Sequence, residues 1–430
     1  MKSLVRLLRS TPGRFTRRLL RSIVRPCSVK RGVLVVTRPD LYPPDHGAAV
    51  RTDRTAAGVS RLNGPVFVVT NDRRCYHRYL RGNAEVFQYP WWLRHLGPWR
   101  RLIGHRLRAA GIPADDCFLY YALLDWSIRL RAAYIASRHG LRTCQAEFPA
   151  YATVCAWVSS VLGGNSLLVQ HNVEYERLTE QLPPNATDAR AFLREVEIDL
   201  CNRVDAVVTV SSRDLDSLRE AGVAANKLEI IPHGVDIEAF DRAVPSPAKL
   251  RSLGIPPNRP ILVYHGTYLY PPNVAAIEVL ATEILPGLRA HGIPAVVMAV
   301  GPHPPARFPD SNVFFTGSVE AVAPYIRSAQ VAVMPLKQGA GTRMKVMDYF
   351  AGRVPVVSTS KGVEGLGLVD GRELFVRDDW PGFVRAVARI IADKNTADSL
   401  TQEARRYVEC LDWSHVARRY LDLYATLGQP

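Results

Sequence analysis

The sequence predicts an α/β protein made of two Rossmann-like, doubly wound domains that face each other across a cleft. Short apolar strands alternate with helical segments from residue 33 onward, and this alternation restarts after a proline-rich zone at 245–260. The chain has 430 residues, more than one domain usually contains. Its 47% hydrophobic and 22% charged residues are typical of globular proteins. Strands separated by helices form parallel sheets that are covered on both faces.

The first domain is predicted to start with strand VLVVT (33–37), a helix over 48–62 and strand VFVVT (66–70). A basic segment at 73–108 follows. Beyond it we expect, in order, a helix over 127–138, strand CQAEF (144–148), an apolar helix from Tyr151, strand LLVQH (167–171), a helix over 189–203, and strands AVVTVS (206–211) and LEIIPHG (228–234).

The second domain is predicted to start with strand ILVYHG (261–266) and to continue with the strands AVVMAVG, NVFFTGS, VAVMPL, VPVVSTS and ELFVRD. Helices are expected over 274–288, 321–328, 343–352 and 383–392. A final helix over 401–427 has one apolar stripe and is expected to cross back to the first domain. These patterns divide the chain into an N-terminal segment (1–30), an N-terminal domain (31–235), a C-terminal domain (236–400) and a C-terminal helix (401–430).

The net charge of +15 is concentrated at the N-terminus. Residues 1–31 contain ten of the 55 Lys and Arg and none of the 40 acidic residues, which leaves 45 bases against 40 acids elsewhere. On a helical wheel that starts at Phe15, leucine, isoleucine and valine occupy one half and arginine the other. This separation indicates an amphipathic helix on an anionic membrane, within residues 1–28. A disordered basic tail and an organelle transit peptide are the alternatives.

A second basic stretch, 73–108, contains nine arginines and one acid, Glu85, interleaved with tyrosine and tryptophan. Such a mixture can bind a membrane surface or an anionic acceptor, stack on nucleic-acid bases, or form a partly packed helical hairpin. No recognised nucleic-acid-binding module accompanies it.

Several other classes of protein are excluded by absent patterns. No uncharged apolar run reaches the ~18 residues of a membrane-spanning helix, and no signal-peptide pattern is present. The seven cysteines include no C-x-x-C pair, which disfavours a zinc cluster and fits a reducing cytoplasm. The sequence also lacks G-x-G-x-x-G and G-x-x-x-x-G-K-[ST], which disfavours a dinucleotide oxidoreductase or a P-loop NTPase.

The segment PLKQGAGTRMKVMDYF is the strongest candidate for a ligand site. Its glycines let backbone N–H groups approach a ligand, and the helix that follows favours an anion at its N-terminus. Arg343 and Lys345 add two positive charges, which suit a diphosphate. Asp348, one turn further, can accept hydrogen bonds from a ribose diol. An ordinary strand-to-helix turn with a solvated basic first turn is the alternative.

Six segments in order resemble the retaining glycosyltransferases of family 4, which have the GT-B fold. They are LYPPDHGAAVR, EFP (147–149), QHNVEYERL (170–178), DAVVTVSSRDLDSLREAGV (205–223), KLEIIPHGVD (227–236) and GTRMKVMDYFAGRVPVVSTSKGVEGL (341–366). The resemblance covers nearly the whole chain, and its last segment is similar to the family's G-T-R-x-K variant.

The resemblance implies roles for individual residues. The second acid of the family's E-x7-E signature, which binds the donor ribose, falls on Asp348, whereas the first falls on Ala340 and is missing. The Arg and Lys often found after the first strand of the second domain are replaced by GTYLYPPN. Arg343 and Lys345 are therefore expected to hold the diphosphate, and His171 to reach the donor sugar. The other expected donor contacts are Gly47, Gly341 and Thr342. Glu364, in the loop KGVEGL, is expected either to touch the donor or to stabilise its own turn.

Three further residues have less specific assignments. Glu174 and Arg51 are expected to contact the acceptor or to support the site, and Glu174 could also orient His171. His233, which precedes Gly234 between the two domains, is expected to be structural.

The implied activity is transfer of a sugar from a nucleotide-sugar donor to a glycan or lipid-linked acceptor, with retention of the anomeric configuration. A nucleoside diphosphate leaves without protonation once its charge is neutralised, so helix dipole and basic side chains are expected to replace a metal or other cofactor. The protein is expected to be cytoplasmic and peripheral on the membrane, with nucleic acid an unlikely partner. The alternative, motivated by Ala340, is a catalytically degenerate GT-B protein that binds a glycan or polyanion or supports a partner enzyme.

Overall fold

The computed structural model describes residues 32–38, 41–42, 44, 47–96, 104–105, 107–108, 120–123, 125–183, 186–306, 308, 310–338 and 344–428. The basic N-terminal segment lies outside the described residues, as do Ala340, Gly341, Thr342 and Arg343. Parts of the basic stretch 73–108, namely 97–103 and 106, also lie outside them.

The chain forms two compact units. One comprises Met1–Pro232 with Trp413–Pro430, and the other comprises His233–Asp412. Each contains a largely parallel sheet whose strand order reverses direction partway along, as in doubly wound folds. The predicted α/β class with two Rossmann-like domains is confirmed. No helix among the residues described is long and apolar enough to span a bilayer.

The first unit contains an eight-stranded sheet in the order β4-β3-β2-β1-β5-β6-β7-β8, parallel except for β3 and β4. Its elements are β1 (Val33–Val36), α1 (Gly47–Asn63), β2 (Val66–Val69), β3 (Cys75–Leu80), β4 (Asn83–Gln88), α2 (Trp91–Arg94), α3 (Trp126–His139), β5 (Thr143–Glu147), α4 (Pro149–Leu162), β6 (Asn165–Val169), α5 (Glu174–Gln181), α6 (Thr187–Arg203), β7 (Ala206–Thr209), α7 (Ser212–Ala221), a 3₁₀ turn (Ala225–Lys227) and β8 (Leu228–Ile230).

The core of this unit follows from its apolar strands. β1, β2 and β7 are buried at every position, as parallel strands covered on both faces must be. Helix α4 is apolar on nearly all sides and is almost wholly buried. Its apolar composition is thus that of a helix inside the protein core. Local signals set the ends of α3: Asp125 caps its N-terminus, and Gly140, with φ of 65°, ends it.

The strands β3 and β4 show that the alternative of a helical hairpin within 73–108 is wrong for residues 75–88. They form an antiparallel β-hairpin at the edge of the sheet. Its two-residue turn, Arg81-Gly82, has positive φ at both positions (52° and 89°), as a type I′ turn requires. Arg78 lies opposite Glu85 across the two strands and forms an ion pair with it.

The second unit contains a six-stranded parallel sheet in the order β11-β10-β9-β12-β13-β14. Its elements are α8 (Ile237–Arg242), α9 (Pro247–Ser252), β9 (Ile261–His265), α10 (Pro271–Val279), a π-helical stretch (Leu280–Ile284), α11 (Leu285–Ala290), β10 (Val296–Val300), β11 (Val313–Phe315), α12 (Ala323–Ile326), β12 (Val331–Met334), α13 (Met344–Ala351), β13 (Val356–Ser358), a 3₁₀ turn (Ser360–Val363), β14 (Phe375–Val376), α14 (Trp380–Ala392) and α15 (Lys394–Glu409).

The predicted final helix, 401–427, is in fact two helices. α15 ends at Glu409, and α16 (Trp413–Leu427) begins after a break at 410–412. In the break, the carbonyl of Leu411 accepts the backbone N–H of Val235 (2.9 Å), and Asp412 forms an isolated parallel bridge with Val235. A long-range backbone pairing thus interrupts a segment whose local pattern is continuous. α16 belongs to the first unit.

Helix α16 packs closely on α1. A Cβ added at Gly58 would lie 2.8 Å from the Cβ of Ala417, so glycine permits this approach. Nearby, the buried Arg51 guanidinium donates to the hydroxyl of Tyr420 (2.8 Å) and to the carbonyl of Ile231 (2.7 Å). These bonds connect α1 to the C-terminal helix and to the residue after β8.

A buried carboxylate, Glu197 on α6, fixes the segment after β6. Its Oε1 accepts hydrogen bonds from Gln170 Nε2 (2.9 Å) and the backbone N–H of Glu174 (3.0 Å), and its Oε2 accepts the backbone N–H of Tyr175 (2.6 Å). Burial, reinforced by the Glu174 carboxylate, raises the pKa of Glu197 to about 8. The network holds residues 170–175 against α6.

We predict that Gly58→Ala destabilises the first unit. Crowding against Ala417 is expected to cost about 1–3 kcal/mol, partly offset by about 1 kcal/mol from the better helix propensity of alanine. In the double variant with Ala417→Gly, the added methyl regains space, so the two changes should couple favourably by about 1 kcal/mol. Urea unfolding of the four proteins measures the coupling. Additive effects of the two substitutions would contradict the packing described.

We also predict that Glu197 makes stability depend on pH. The folded state keeps a proton on Glu197 between the ordinary pKa of 4.5 and the raised value of about 8. The free energy of unfolding should therefore fall as pH rises through this window, by at most about 1.4 kcal/mol per pH unit, and level off above it.

This pH slope is measured by urea unfolding across the window. Glu197→Gln should remove its contribution to the slope. Glu220→Gln, which changes an exposed acid on α7, should keep the wild-type slope and serves as the matched control. Equal slopes for wild type and Glu197→Gln would show that the carboxyl is not protonated in the folded protein.

Candidate functional site

Each sheet has a point where successive connections turn in opposite directions. In the first unit this point lies between β1 and β5, and in the second between β9 and β12. In open parallel sheets, ligands bind beyond the carboxyl ends of the strands at such a point. The residues that follow these strands are therefore the candidates for ligand binding in each unit.

In the first unit, a hydrogen-bonded histidine lies at this edge. His171, two residues beyond β6, is buried, and its Nε2 lies 2.7 Å from Oε2 of Glu147, the last residue of β5. The other oxygen of Glu147 accepts a hydrogen bond from Gln145, which in turn accepts one from the hydroxyl of Tyr424 on α16. Nδ1 of His171 is buried and has no hydrogen-bond partner among the residues described.

This arrangement assigns the proton on His171. A carboxylate accepts hydrogen bonds, so Glu147 holds the proton on Nε2 and leaves the Nδ1 lone pair available in the neutral ring. The C-terminal helix contributes through Tyr424 and Gln145. Nδ1 is therefore the ring nitrogen of His171 that is left to accept a hydrogen bond.

The backbone between Glu147 and His171 is strained. Phe148 has φ of 75° and ψ of 150°, a conformation that is almost confined to glycine. Its ring packs on the imidazole of His171, with centroids 4.6 Å apart. Such strain, typically about 1–3 kcal/mol, persists where the surroundings over-determine it and is common at ligand sites.

In the second unit, Lys345 on α13 reaches across to β9. Its Nζ donates to the hydroxyl of Tyr264 (2.9 Å) and to Oδ1 of Asn273, and lies 4.4 Å from the centre of the Tyr264 ring. Tyr264 also donates to Asn273 Oδ1 (2.6 Å), and Asn273 Nδ2 donates to the carbonyl of Thr267 (2.7 Å). The lysine is thus fixed by neutral groups at the carboxyl end of β9.

Two glycines make room for this arrangement. Gly266, with φ of 150°, directly follows β9, and an added Cβ there would lie 2.8 Å from Nζ of Lys345 and 2.7 Å from Nδ2 of Asn273. Gly301 follows the neighbouring strand β10, and a Cβ there would lie 2.1 Å from the carbonyl oxygen of Gly266. Any side chain at Gly266 would displace the lysine.

Asp348, one turn after Lys345, is paired with a histidine. Its Oδ2 lies 3.0 Å from Nε2 of His265, the last residue of β9, whose backbone N–H donates to the hydroxyl of Tyr349 (3.1 Å). The Asp348 side chain is 29% exposed. A carboxylate can accept about four hydrogen bonds, so Asp348 retains capacity for a ligand.

The remaining predicted site residues occupy different environments. Gly47 is the first residue of α1, Arg51 is buried between α1 and α16, and His233 is buried at the start of the second unit. Glu174 is buried and accepts a hydrogen bond from Arg177 (2.7 Å). Glu364 forms an ion pair with Lys361 in its own loop (2.7 Å). Gly341, Thr342 and Arg343 lie outside the described residues.

The sequence analysis missed several residues at these two edges, namely Gln145, Glu147, Tyr264, His265, Asn273 and Glu197. Two of them carried a usable signal, because Glu147 and His265 are polar residues one position before the ends of the predicted strands CQAEF and ILVYHG. The others are identified only by contacts with partners distant in sequence.

Within the described part of the chain, no three His, Cys, Asp or Glu side chains come together as a group that would hold a metal ion.

Comparisons with known proteins agree with this geometry. A family model described as Glycosyltransferase Family 4 matches residues 46–239, and one described as Glycosyl transferases group 1 matches residues 259–393. No curated protein matches the sequence.

Solved structures with similar folds cover almost the whole chain. Sucrose-phosphate synthase from Thermosynechococcus elongatus has a TM-score of 0.66 at 17% identity, covering 93% of this chain and 99% of that one. The Anabaena protein HepE, in complex with UDP and glucose, has a TM-score of 0.62 at 15% identity, with coverage of 92% and 100%. The Escherichia coli trehalose-6-phosphate protein bound to UDP-2-fluoro glucose has a TM-score of 0.61 at 11% identity, with coverage of 91% and 98%. The resemblance read from the sequence motifs is confirmed, and the chain belongs to the family 4-like glycosyltransferases with the GT-B fold.

Proposed function

We propose that the protein transfers a sugar from a nucleotide-sugar donor to a hydroxyl of a glycan or lipid-linked acceptor, with retention of the anomeric configuration. The observation that carries this proposal is the fixed ammonium of Lys345 beside the carboxylate of Asp348, at the carboxyl end of β9. A positive charge next to a hydrogen-bond acceptor suits a diphosphate joined to a ribose.

In this proposal the second unit holds the nucleotide. Lys345, with Arg343 from the adjoining glycine-rich segment, neutralises the diphosphate. Asp348 accepts hydrogen bonds from the ribose hydroxyls through the capacity left by His265. Gly341, Thr342 and Glu364 are proposed as further donor contacts, and Gly47 in the first unit as a residue near the phosphates.

Neutralising the diphosphate is also the proposed source of catalysis. Negative charge develops on the leaving diphosphate as the bond to the sugar breaks, and fixed positive charges stabilise that charge without protonating the leaving group. Lys345 is already oriented by Tyr264 and Asn273, so it needs little reorganisation during the reaction. No metal or other cofactor is required by this mechanism.

The first unit is proposed to bind the transferred sugar through His171. Because Glu147 occupies Nε2, the Nδ1 atom is the one that can accept a hydrogen bond from a sugar hydroxyl. Glu174 and Arg51 contact protein groups rather than solvent, so we propose that they support the site.

The donor and the cellular location are proposed on indirect grounds. The similar structures of HepE and the trehalose-6-phosphate protein carry UDP or a UDP-sugar, which makes UDP-glucose the first donor to test. The basic residues 1–28 are proposed to attach the protein to the cytoplasmic membrane face, where a lipid-linked acceptor would be found.

We predict that one nucleoside diphosphate stabilises the protein without added metal. Thermal unfolding with UDP, GDP, ADP, CDP and dTDP tests this, because a ligand at about 100 times its dissociation constant stabilises by about 2.7 kcal/mol. Lys345→Ala should greatly reduce the shift and lower turnover at least tenfold. Lys394→Ala, an exposed lysine on α15, is the matched control. No shift with any nucleotide would contradict the donor site, and a shift without transfer activity would indicate a noncatalytic binder.

We predict that Glu147→Gln lowers turnover at least tenfold while the protein remains folded. The substitution leaves the amide of Gln145 facing an amide instead of a carboxylate and loosens the orientation of His171. Because Glu147 acts through His171, adding Glu147→Gln to His171→Ala should cause little further loss. Turnover of the four proteins is the measurement. A full additional loss in the double variant would mean that Glu147 acts independently of the histidine.

A further inference from the structure

The described part of the basic stretch, 73–96, contains a surface that has no role in the transfer reaction as proposed above. Arg73, Arg74, Gln88, Trp91, Arg94 and His95 line an open concavity of about 410 Å³ at the base of the β3–β4 hairpin. Trp91 is 71% exposed and its neighbour Trp92 48% exposed. Adjacent exposed apolar side chains that are rimmed by polar residues are typical of interaction surfaces.

A buried arginine supports the inner side of this surface through hydrogen bonds. Arg131 on α3 is 1% exposed, and its guanidinium donates to the carbonyls of Leu93 (2.9 Å) and Leu96 (2.7 Å). Leu93 is fully buried. The short helix α2 is therefore anchored by its inner side, and its two tryptophans are displayed outward on a fixed support.

The ring contacts of the two tryptophans are consistent with their outward orientation. Trp92 packs edge-to-face on Tyr134 of α3, with ring centroids 5.8 Å apart. Trp91 contacts His95 at 6.0 Å within its own turn. Trp91 thus projects furthest, while Trp92 keeps one side against the protein.

The charge of the surface is strongly positive. Arg73, Arg74 and Arg94 are exposed, and none of them forms an ion pair with a carboxylate of the described residues. Glu85, the one acid of the stretch, is paired with Arg78. Asp72, which precedes the stretch, accepts the backbone N–H of Arg74 (2.6 Å). Three arginines thus face one nearby carboxylate.

We propose that this surface docks on an anionic phospholipid bilayer. Tryptophan prefers the boundary between headgroups and acyl chains, and each arginine near an anionic surface favours binding. The concavity between the arginines offers a position for a headgroup phosphate. Of the two indoles only Trp91 lines the concavity, so they do not form a row on which successive nucleic-acid bases could stack. The inference does not depend on the transfer reaction.

The test is sedimentation of the full chain with vesicles of phosphatidylcholine, with and without phosphatidylglycerol. Arg73→Gln/Arg74→Gln/Arg94→Gln should weaken binding to the anionic vesicles by about 100-fold, since each arginine contributes about fivefold. Arg289→Gln/Arg385→Gln/Arg418→Gln removes the same charge from exposed arginines elsewhere and should bind nearly as wild type. Equal binding by the two triple variants would overturn the proposal, as would no binding by the wild type.

A second pair of variants tests the tryptophans. Trp91→Gln/Trp92→Gln should reduce vesicle binding at least tenfold and remove most of the blue shift in tryptophan fluorescence. Val244→Gln/Val369→Gln, at two exposed apolar positions of the second unit, should do neither. An unchanged partition of the tryptophan variant would overturn the proposal. Tighter binding to an oligonucleotide than to the vesicles, lost with the same three arginines, would instead assign the surface to nucleic acid.

Discussion

The chemistry of this protein is confined by the burial of its parallel strands. A strand covered on both faces has little room for charged side chains except near its ends, where the chain leaves the sheet. Glu147 and His171 follow this rule in the first unit, and His265 and Gly266 follow it in the second. Because neighbouring parallel strands end at the same edge of a sheet, residues distant in sequence meet there without any additional structural element.

The two edges use different means to hold a functional group. In the first unit the Glu147 carboxylate bonds to Nε2 of His171, which fixes the orientation of the imidazole ring. In the second unit Lys345 donates hydrogen bonds to a phenol and an amide, which fix the position of its ammonium group. A fixed ring nitrogen suits recognition of a sugar hydroxyl, whereas a fixed ammonium group suits a phosphate.

Local patterns in the sequence were sufficient for the class of fold, most strands and the position of His171. They were insufficient where distant residues decide the outcome. The break between α15 and α16 depends on Val235, about 175 residues earlier in the chain. The partners of Lys345 are 72 and 81 residues away. The hairpin at 75–88 does not depend on distant residues, because its Arg81-Gly82 turn is a local signal. The high arginine content of the stretch obscured this signal.

The return of α16 to the first unit affects the order in which the protein can be completed during synthesis. The ribosome makes the intervening second unit, about 180 residues, before α16 emerges, which takes roughly 10–40 s at about 5–20 residues per second. Until then Arg51 lacks Tyr420, and Gln145 lacks Tyr424. Throughout this interval the nascent first unit therefore exposes the surface of α1 on which α16 later packs. The unit that starts to fold first is the last to finish.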